Sequence, residues 1–200
     1  METQETKNLS YYLKESQNLK LDKSFTKNIK IAILSSFTIT GLSEIIRVKC
    51  AENKINCSSY VGPYNQYTQQ ILDKKSDLYK FQPNITFLII DNRTIFGELF
   101  YDSSSLLIDE RKKIVKEKVE KLIHLIKLFT NETKSNIVIS NLSIPSYTSY
   151  GISETKIEYG LKNMIQDFNL ILESALKNES SQHILDINSF VLKFGEINIF

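Results

Sequence analysis

Residues 30–61, with the sequence KIAILSSFTITGLSEIIRVKCAENKINCSSYV, contain one complete strand–helix–strand unit. Residues 31–34 form a short, continuous apolar run, which is typical of a strand covered on both faces. From Gly41 the apolar residues recur at helical spacing, and residues 55–61 again have the character of a strand. This stretch therefore predicts two parallel strands joined by a helix.

The alternation of strands and helices continues along the chain. Further strands are predicted at 85–90, 137–139 and 184–187, and further helices at 65–72, 109–129 and 157–176. Such alternation favours a parallel sheet with right-handed crossovers and helices on both faces. We therefore expect a three-layer α/β/α sandwich with five parallel strands over residues 28–200. Residues 1–27 are predicted to be a polar lead-in segment with room for one short helix.

Composition and charge exclude several functional classes. The 25 basic and 23 acidic residues give a net charge of +2 and are interspersed, so we expect no nucleic-acid partner and no binding to an anionic membrane surface. No apolar run resembles a signal peptide or reaches membrane-spanning length, which predicts a cytoplasmic protein. In that reducing compartment, Cys50 and Cys57 are expected to be free thiols.

Polar residues follow each predicted strand, at the edge where open parallel sheets bind ligands. We expect seven of them to share one pocket rim. They are Ser36, Thr38, Asn65, Gln66, Asn92, Arg93 and Asn141. Their hydroxyl, amide and guanidinium groups suit a small polar or phosphorylated ligand. The same residue types are common in loops and helix caps, so the prediction depends on the set as a whole.

Sequence motifs for the common kinds of catalytic site do not occur. The chain has no glycine-rich phosphate loop, no Gly-x-Ser-x-Gly elbow and no His-Glu-x-x-His helix, so we predict no cofactor and no metal. His124 falls in the middle of a predicted helix. His183 opens the fifth strand, roughly 13 Å from the expected rim at about 3.3 Å per residue. A nucleophilic hydroxyl at the rim would therefore lack a base, and esterase activity should be negligible.

Three segments carry a resemblance to a known family. They are IAILSSFTITGL at 31–42, GPYNQYTQQILDKKSDLYKFQP at 62–83 and ISNLSIPSYTSYG at 139–151. In order and spacing they resemble the N-terminal domain of FkbH-like proteins. The resemblance implies an SGNH-hydrolase-like fold with flavodoxin-like strand order. It also implies a role beside a haloacid-dehalogenase (HAD) subfamily IIIC phosphatase domain that helps load a phosphoglycerate-derived glyceryl unit onto an acyl carrier protein.

The same resemblance assigns site residues by position. It implies Ser35, Ser36 or Thr38 near the nucleophile, Gly62 and Asn92 as ligand-binding residues, and Asp186 as a catalytic residue. The Gly-Asp-Ser signature of SGNH hydrolases is replaced by Ser35-Ser36-Phe37, and the final Asp-x-x-His reads Asp186-Ile187-Asn188-Ser189. The Asp-x-Asp-x-Thr/Val motif of the phosphatase half does not occur in this sequence.

Three functional classes remain open at this point. The first is a catalytically incomplete FkbH-like domain that supports a HAD-type phosphatase or transferase. The second is a stand-alone SGNH-type esterase or acyl hydrolase with a non-standard catalytic set, which a base at the crevice would favour. The third is a structural interaction domain, which an apolar rim would favour. Fold alone does not decide among them.

Overall fold

The computed structural model describes residues 7–20 and 22–195, which form a single sheet flanked by helices. The elements in chain order are α1 Leu9–Asn18, β1 Lys27–Ser35, α2 Leu42–Glu52, β2 Ile55–Val61, α3 Tyr67–Leu72, α4 Asp77–Phe81, β3 Ile85–Ile89, α5 Asn92–Phe96, α6 Ile108–Glu132, β4 Asn136–Ser140, α7 Leu161–Leu176, β5 Gln182–Leu185 and α8 Ile187–Phe194. Two short 3₁₀ turns, Gly97–Phe100 and Gly151–Lys156, lie between them. No helix in these ranges is long and apolar enough to cross a membrane.

All five strands are parallel, in the order β2-β1-β3-β4-β5. This confirms the predicted five-stranded sheet and its flavodoxin-like order. The chain leaves β1 toward β2 on one side and returns to add β3 on the other, so β1 and β3 flank the topological switch point. In parallel α/β sheets, ligands bind beyond the carboxyl ends of the strands at this switch point.

The core lies between the sheet and the helices that cover it. Residues 31–34 of β1 are all buried. Helix α6 buries Val115, Val119, Ile126 and Phe129 at helical spacing, and α7 packs beside α6. Helices α1 and α2 pack together. Right-handed crossovers place α2 on the face opposite α6 and α7, because the strand order reverses after β2.

Several element boundaries differ from the sequence predictions for local reasons. Helix α3 begins at Tyr67, two residues late, because Asn65 has a left-handed backbone with φ 51°. Helix α7 begins at Leu161, because Tyr159 also has a left-handed backbone. Strand β5 ends at Leu185, because the Asp186 side chain accepts from the Ser189 N–H and starts a helix. Helices α4, α5 and α8 were not predicted.

The lead-in segment contains one short helix, α1, as the sequence analysis allowed. Helix α1 begins after Asn8, whose side chain accepts from the Tyr11 backbone N–H at 3.0 Å. The Arg47 guanidinium of α2 donates to the Ser16 carbonyl at 3.3 Å. The lead-in helix therefore packs against the sheet domain, and β1 begins at Lys27. The division of the chain at residue 27 remains a prediction.

Candidate functional site

A groove of about 730 Å³ opens at the carboxyl ends of the strands, over the switch point between β1 and β3. Segments that follow four of the strands contribute to it. The lining residues are Ser36, Phe37, Tyr64, Asp91, Asn92, Arg93, Thr94, Phe100, Ser143 and Pro145. Its size and its position both suit a small-molecule site. Three of the seven residues expected at the rim, Ser36, Asn92 and Arg93, are brought together here.

The floor of the groove is a closed hydrogen-bonded cluster of Ser36, Asp91 and Thr94. The Ser36 hydroxyl donates to Asp91 Oδ2 at 2.6 Å, and the Asp91 backbone N–H donates to Ser36 Oγ at 2.9 Å. The Thr94 backbone N–H donates to Asp91 Oδ1 at 2.9 Å, and the Thr94 hydroxyl donates to Oδ2 at 3.0 Å. Asp91 thus anchors Ser36 and also caps the N-terminus of α5.

The charge state of Asp91 limits what Ser36 can do. Burial alone would raise the pKa of this carboxyl, but the hydrogen bonds from Ser36 and Thr94 outweigh burial, and the pKa lies below its ordinary value. Asp91 is therefore ionised at neutral pH. A carboxylate with a depressed pKa is a weak base, so it holds the Ser36 hydroxyl as a hydrogen-bond donor rather than removing its proton.

Asn92 follows Asp91 and is only 8% exposed. Its Nδ2 amide donates to the Ser143 carbonyl at 2.7 Å and so ties the segment after β4 to the end of β3. Its Oδ1 oxygen is buried and has no partner among the described residues. The bond to Ser143 uses one of the two amide N–H groups and fixes the orientation of the Asn92 side chain.

Arg93 supplies the positive charge at the groove. The residue is exposed, and its guanidinium lies 5.6 Å from the centre of the Phe100 ring, within the range of a cation–π interaction. Within residues 7–20 and 22–195, no carboxylate forms an ion pair with it. Its N–H groups are therefore positioned to bind an anionic group at the rim.

The other residues expected after β1 and β2 lie at the same end of the sheet but outside the groove lining. Thr38 is exposed. Gly62 extends β2, because its N–H donates to the Ile33 carbonyl at 2.8 Å, and a Cβ at this position would lie 2.6 Å from Leu34 Cδ2. The Asn65 N–H donates to the Ser35 carbonyl at 3.2 Å, and Gln66 directly precedes α3.

Asn141 and Asp186 form a second polar cluster beyond β4 and β5. The Asn141 amide donates to Asp186 Oδ1 at 2.9 Å, and the Ile187 N–H donates to Asn141 Oδ1 at 2.8 Å. Ser189 donates to Asp186 through both its hydroxyl and its backbone N–H, and these bonds, with the bond from Asn141, lower the pKa of Asp186. The geometry is that of a helix cap for α8, and neither residue lines the groove.

Among the described residues, no histidine accompanies Ser36 in the groove. His124 on α6 and His183 on β5 are both exposed, and neither lines the groove. Ser189, which stands where the Asp-x-x-His pattern has histidine, is hydrogen-bonded to Asp186. In the described part of the chain, no group of three or more His, Cys, Asp or Glu side chains could hold a metal ion.

The groove includes residues that the predicted rim set omits. Asp91 directly follows the apolar run of β3, so the same strand-end argument could have selected it. Phe37 and Thr94 adjoin residues of the set. The remaining lining residues lie outside the regular strands and α-helices, in segments whose course has no periodic pattern in the sequence; they are Tyr64, Phe100, Ser143 and Pro145.

Solved structures with a similar fold support this architecture. The N-terminal part of the protein BF1531 from Bacteroides fragilis, which contains a phosphatase domain complexed with Mg, aligns with a TM-score of 0.76 at 18% identity. The alignment covers 96% of this chain and 48% of that one, so the chain spans about half the length of this relative. At this identity the similarity shows the fold alone.

Two acetyl xylan esterases share the fold more distantly. AlAXEase aligns with a TM-score of 0.53 at 12% identity over 85% of this chain and 83% of its own. A variant of Axe2, an acetyl-xylooligosaccharide esterase from Geobacillus stearothermophilus, aligns with a TM-score of 0.53 at 10% identity over 88% of each chain. These similarities confirm the SGNH-like α/β fold. No curated protein matches the chain significantly in sequence.

Family membership follows from the sequence match. The model of the family described as "FkbH, N-terminal domain" matches residues 30–200. The matched region includes the whole sheet apart from the first three residues of β1, and every residue that lines the groove. The chain therefore belongs to the FkbH N-terminal domain family.

Proposed function

We propose that this domain is catalytically incomplete and supports a HAD-type phosphatase or transferase that loads a glyceryl unit onto an acyl carrier protein. The observation that carries the proposal is the groove itself, in which Ser36 donates to an ionised Asp91 and no histidine is present. Family membership supports the role, as does the phosphatase domain in the relative from Bacteroides fragilis.

Three features of the groove argue against hydrolysis. The Ser36 hydroxyl is bonded to a weakly basic carboxylate, and no histidine of the described residues lines the groove. Phe37 stands at the serine position of the Gly-Asp-Ser signature. Loss of the general base in a serine hydrolase can lower turnover on the order of 10⁶-fold. A hydroxyl in this setting is therefore far from a working nucleophile.

The groove is better suited to binding. Its floor offers hydrogen-bond acceptors, because the hydroxyl protons of Ser36 and Thr94 are already donated to Asp91. Its rim offers the Arg93 guanidinium. We therefore propose a small ligand that presents hydroxyl or amide donors to the floor and an anionic group, such as a phosphate, to Arg93.

Reconstitution tests the proposal. The chain is mixed with a HAD-type phosphatase or transferase of the same family, an acyl carrier protein and a phosphoglycerate-derived donor, and loading of the carrier protein is followed by intact mass. Loading should be faster with this domain than without it, and Asp91→Asn should reduce the gain. Asp109→Asn, which changes an exposed carboxylate in the first turn of α6, is the matched control. Equal loading with and without the domain would refute the proposal.

A further inference from the structure

The two cysteines of the chain lie on adjoining elements at the far side of the sheet from β5. Cys50 is in the last turn of α2, and Cys57 is the third residue of the edge strand β2. Helix α2 packs against β2, and only six residues separate the two cysteines. A tight connection of this kind keeps the end of the helix next to the start of the strand.

Side-chain periodicity places both thiols between α2 and β2. Residues three and four apart share a helix face, so Cys50 lies on the same face as Arg47. Alternate residues share a strand face, so Cys57 lies on the same face as Ser59. Tyr60 contacts Gln70 of α3 and Phe81 of α4, so Cys57 and Ser59 lie on the opposite face of β2, the face on the side of α2. Arg47 and Cys57 both line one groove of about 460 Å³.

The thiols are close neighbours and remain accessible. Cys50 lies near enough to Cys57 to influence the pKa of that thiol, and the Cys57 thiol itself donates to the Ser58 carbonyl at 3.8 Å. Both residues are only partly buried, and Cys57 opens onto the groove. Burial raises the pKa of Cys57 to about 12, and the neighbouring Cys50 adds to this effect. Cys57 is therefore largely protonated at neutral pH.

We propose that Cys50 and Cys57 form an oxidisable dithiol that closes to an intramolecular disulfide on reaction with a low-molecular-weight disulfide such as glutathione disulfide. The thiolate of one cysteine attacks the oxidant, forms a mixed disulfide and expels one glutathione thiolate. The second cysteine then loses its proton, attacks the mixed disulfide and expels the other glutathione. Two protein thiols are oxidised, and one glutathione disulfide is reduced to two glutathione molecules.

The order of the two steps follows from the local environment. Only the thiolate is nucleophilic, and the raised pKa makes Cys57 the poorer first attacker. Cys50 therefore forms the mixed disulfide, and Cys57 resolves it. The modification joins the end of α2 to the edge strand β2, at the opposite end of that strand from the candidate ligand groove.

The test uses the reduced, folded chain with glutathione disulfide in excess. Intact mass should show the loss of two hydrogen atoms without a stable glutathione adduct, and the product should migrate as a monomer on a non-reducing gel. Because the chain has two cysteines, this mass identifies the Cys50–Cys57 bond without further mapping. Dibromobimane, which becomes fluorescent when it bridges two neighbouring thiols, should label the reduced chain intramolecularly.

Single variants separate the two steps. Cys57→Ser should accumulate the glutathione adduct at Cys50, because no resolving thiol remains. Cys50→Ser should react more slowly, because only the less ionised thiol remains. The proposal is overturned if the wild-type chain ends as a stable glutathione adduct, as a disulfide-linked dimer or with both thiols unmodified. The wild-type result stands without either variant, so a folding defect in a variant leaves the test intact.

Discussion

The hydrogen bond from Ser36 to Asp91 should make the stability of the domain depend on pH, and the change Ser36→Ala isolates this effect. The substitution removes a 2.6 Å bond to an ionised carboxylate and leaves the Asp91 N–H without its acceptor. Ser36 is only 2% exposed, so little water can replace the lost partner. A hydrogen bond to a charged group contributes about 1.5–3 kcal/mol. We expect a loss of roughly 2 kcal/mol in the free energy of unfolding at pH 7.

The pH dependence has a definite sign. Because the pKa of Asp91 is lowered in the folded state, its contribution is present above the unfolded pKa, near 3.9, and is lost as pH falls through the folded pKa. The stability difference between wild type and Ser36→Ala should therefore be largest at neutral pH and shrink below about pH 4. Without the Ser36 bond, the pKa of Asp91 should be higher in the variant than in the wild type, so the variant should lose this stability at a higher pH.

Urea unfolding at a series of pH values measures the effect. In a domain of this size, roughly 2 kcal/mol corresponds to a fall in Tm of about 4–8 °C, so a thermal scan gives a second reading. Ser140→Ala is the matched control, because Ser140 is also buried but its Oγ accepts from the uncharged Ile90 N–H at 3.2 Å. Its cost should not vary with pH. A cost for Ser36→Ala that is equally independent of pH would refute the reasoning.

Three further predictions concern residues whose roles the structure distinguishes. Gly62→Ala should destabilise the domain by about 1–3 kcal/mol, since the added methyl group would lie 2.6 Å from Leu34 Cδ2; unchanged urea unfolding would contradict this. Asp186→Ala should cost about 1 kcal/mol through loss of the α8 cap and leave phosphorylated-ligand binding at the groove intact by calorimetry. An activated acetyl ester should be turned over no faster by the wild-type chain than by Ser36→Ala or Thr38→Ala, and a rate lost in either variant would instead reveal a working nucleophile.

The sheet and the long helices could be predicted because burial leaves a periodic signal in the sequence. The apolar run at 31–34 and the stripe of α6 are examples. Helices α5 and α8 are too short to show a clear hydrophobic periodicity. Each follows an aspartate N-cap, and aspartate is equally common in loops. Their starts are set by single hydrogen bonds rather than by hydrophobic periodicity.

Only those residues of the candidate site that directly follow a strand could be predicted from the sequence. The strand-end argument selected Ser36, Asn92 and Arg93 because their backbones are fixed by β1 and β3 at the switch point. Asn141 occupies an equivalent position after β4, yet its side chain turns to Asp186. A strand end fixes where a residue lies, but the hydrogen-bond partners of its side chain decide whether it lines the groove.

The bond between Ser36 and Asp91 has a thermodynamic consequence for binding. The bond joins the carboxyl ends of β1 and β3, the two strands at the switch point, so the acceptor groups of the groove floor have fixed positions before any ligand binds. Binding to this floor therefore costs little conformational entropy. The rim differs, because Arg93 and Tyr64 are exposed side chains that lose rotamer freedom when they bind, at about 0.5–1.5 kcal/mol each. The fixed acceptors of the floor would therefore select ligands by the positions of their donor groups, whereas the entropy lost by the rim side chains would limit the affinity.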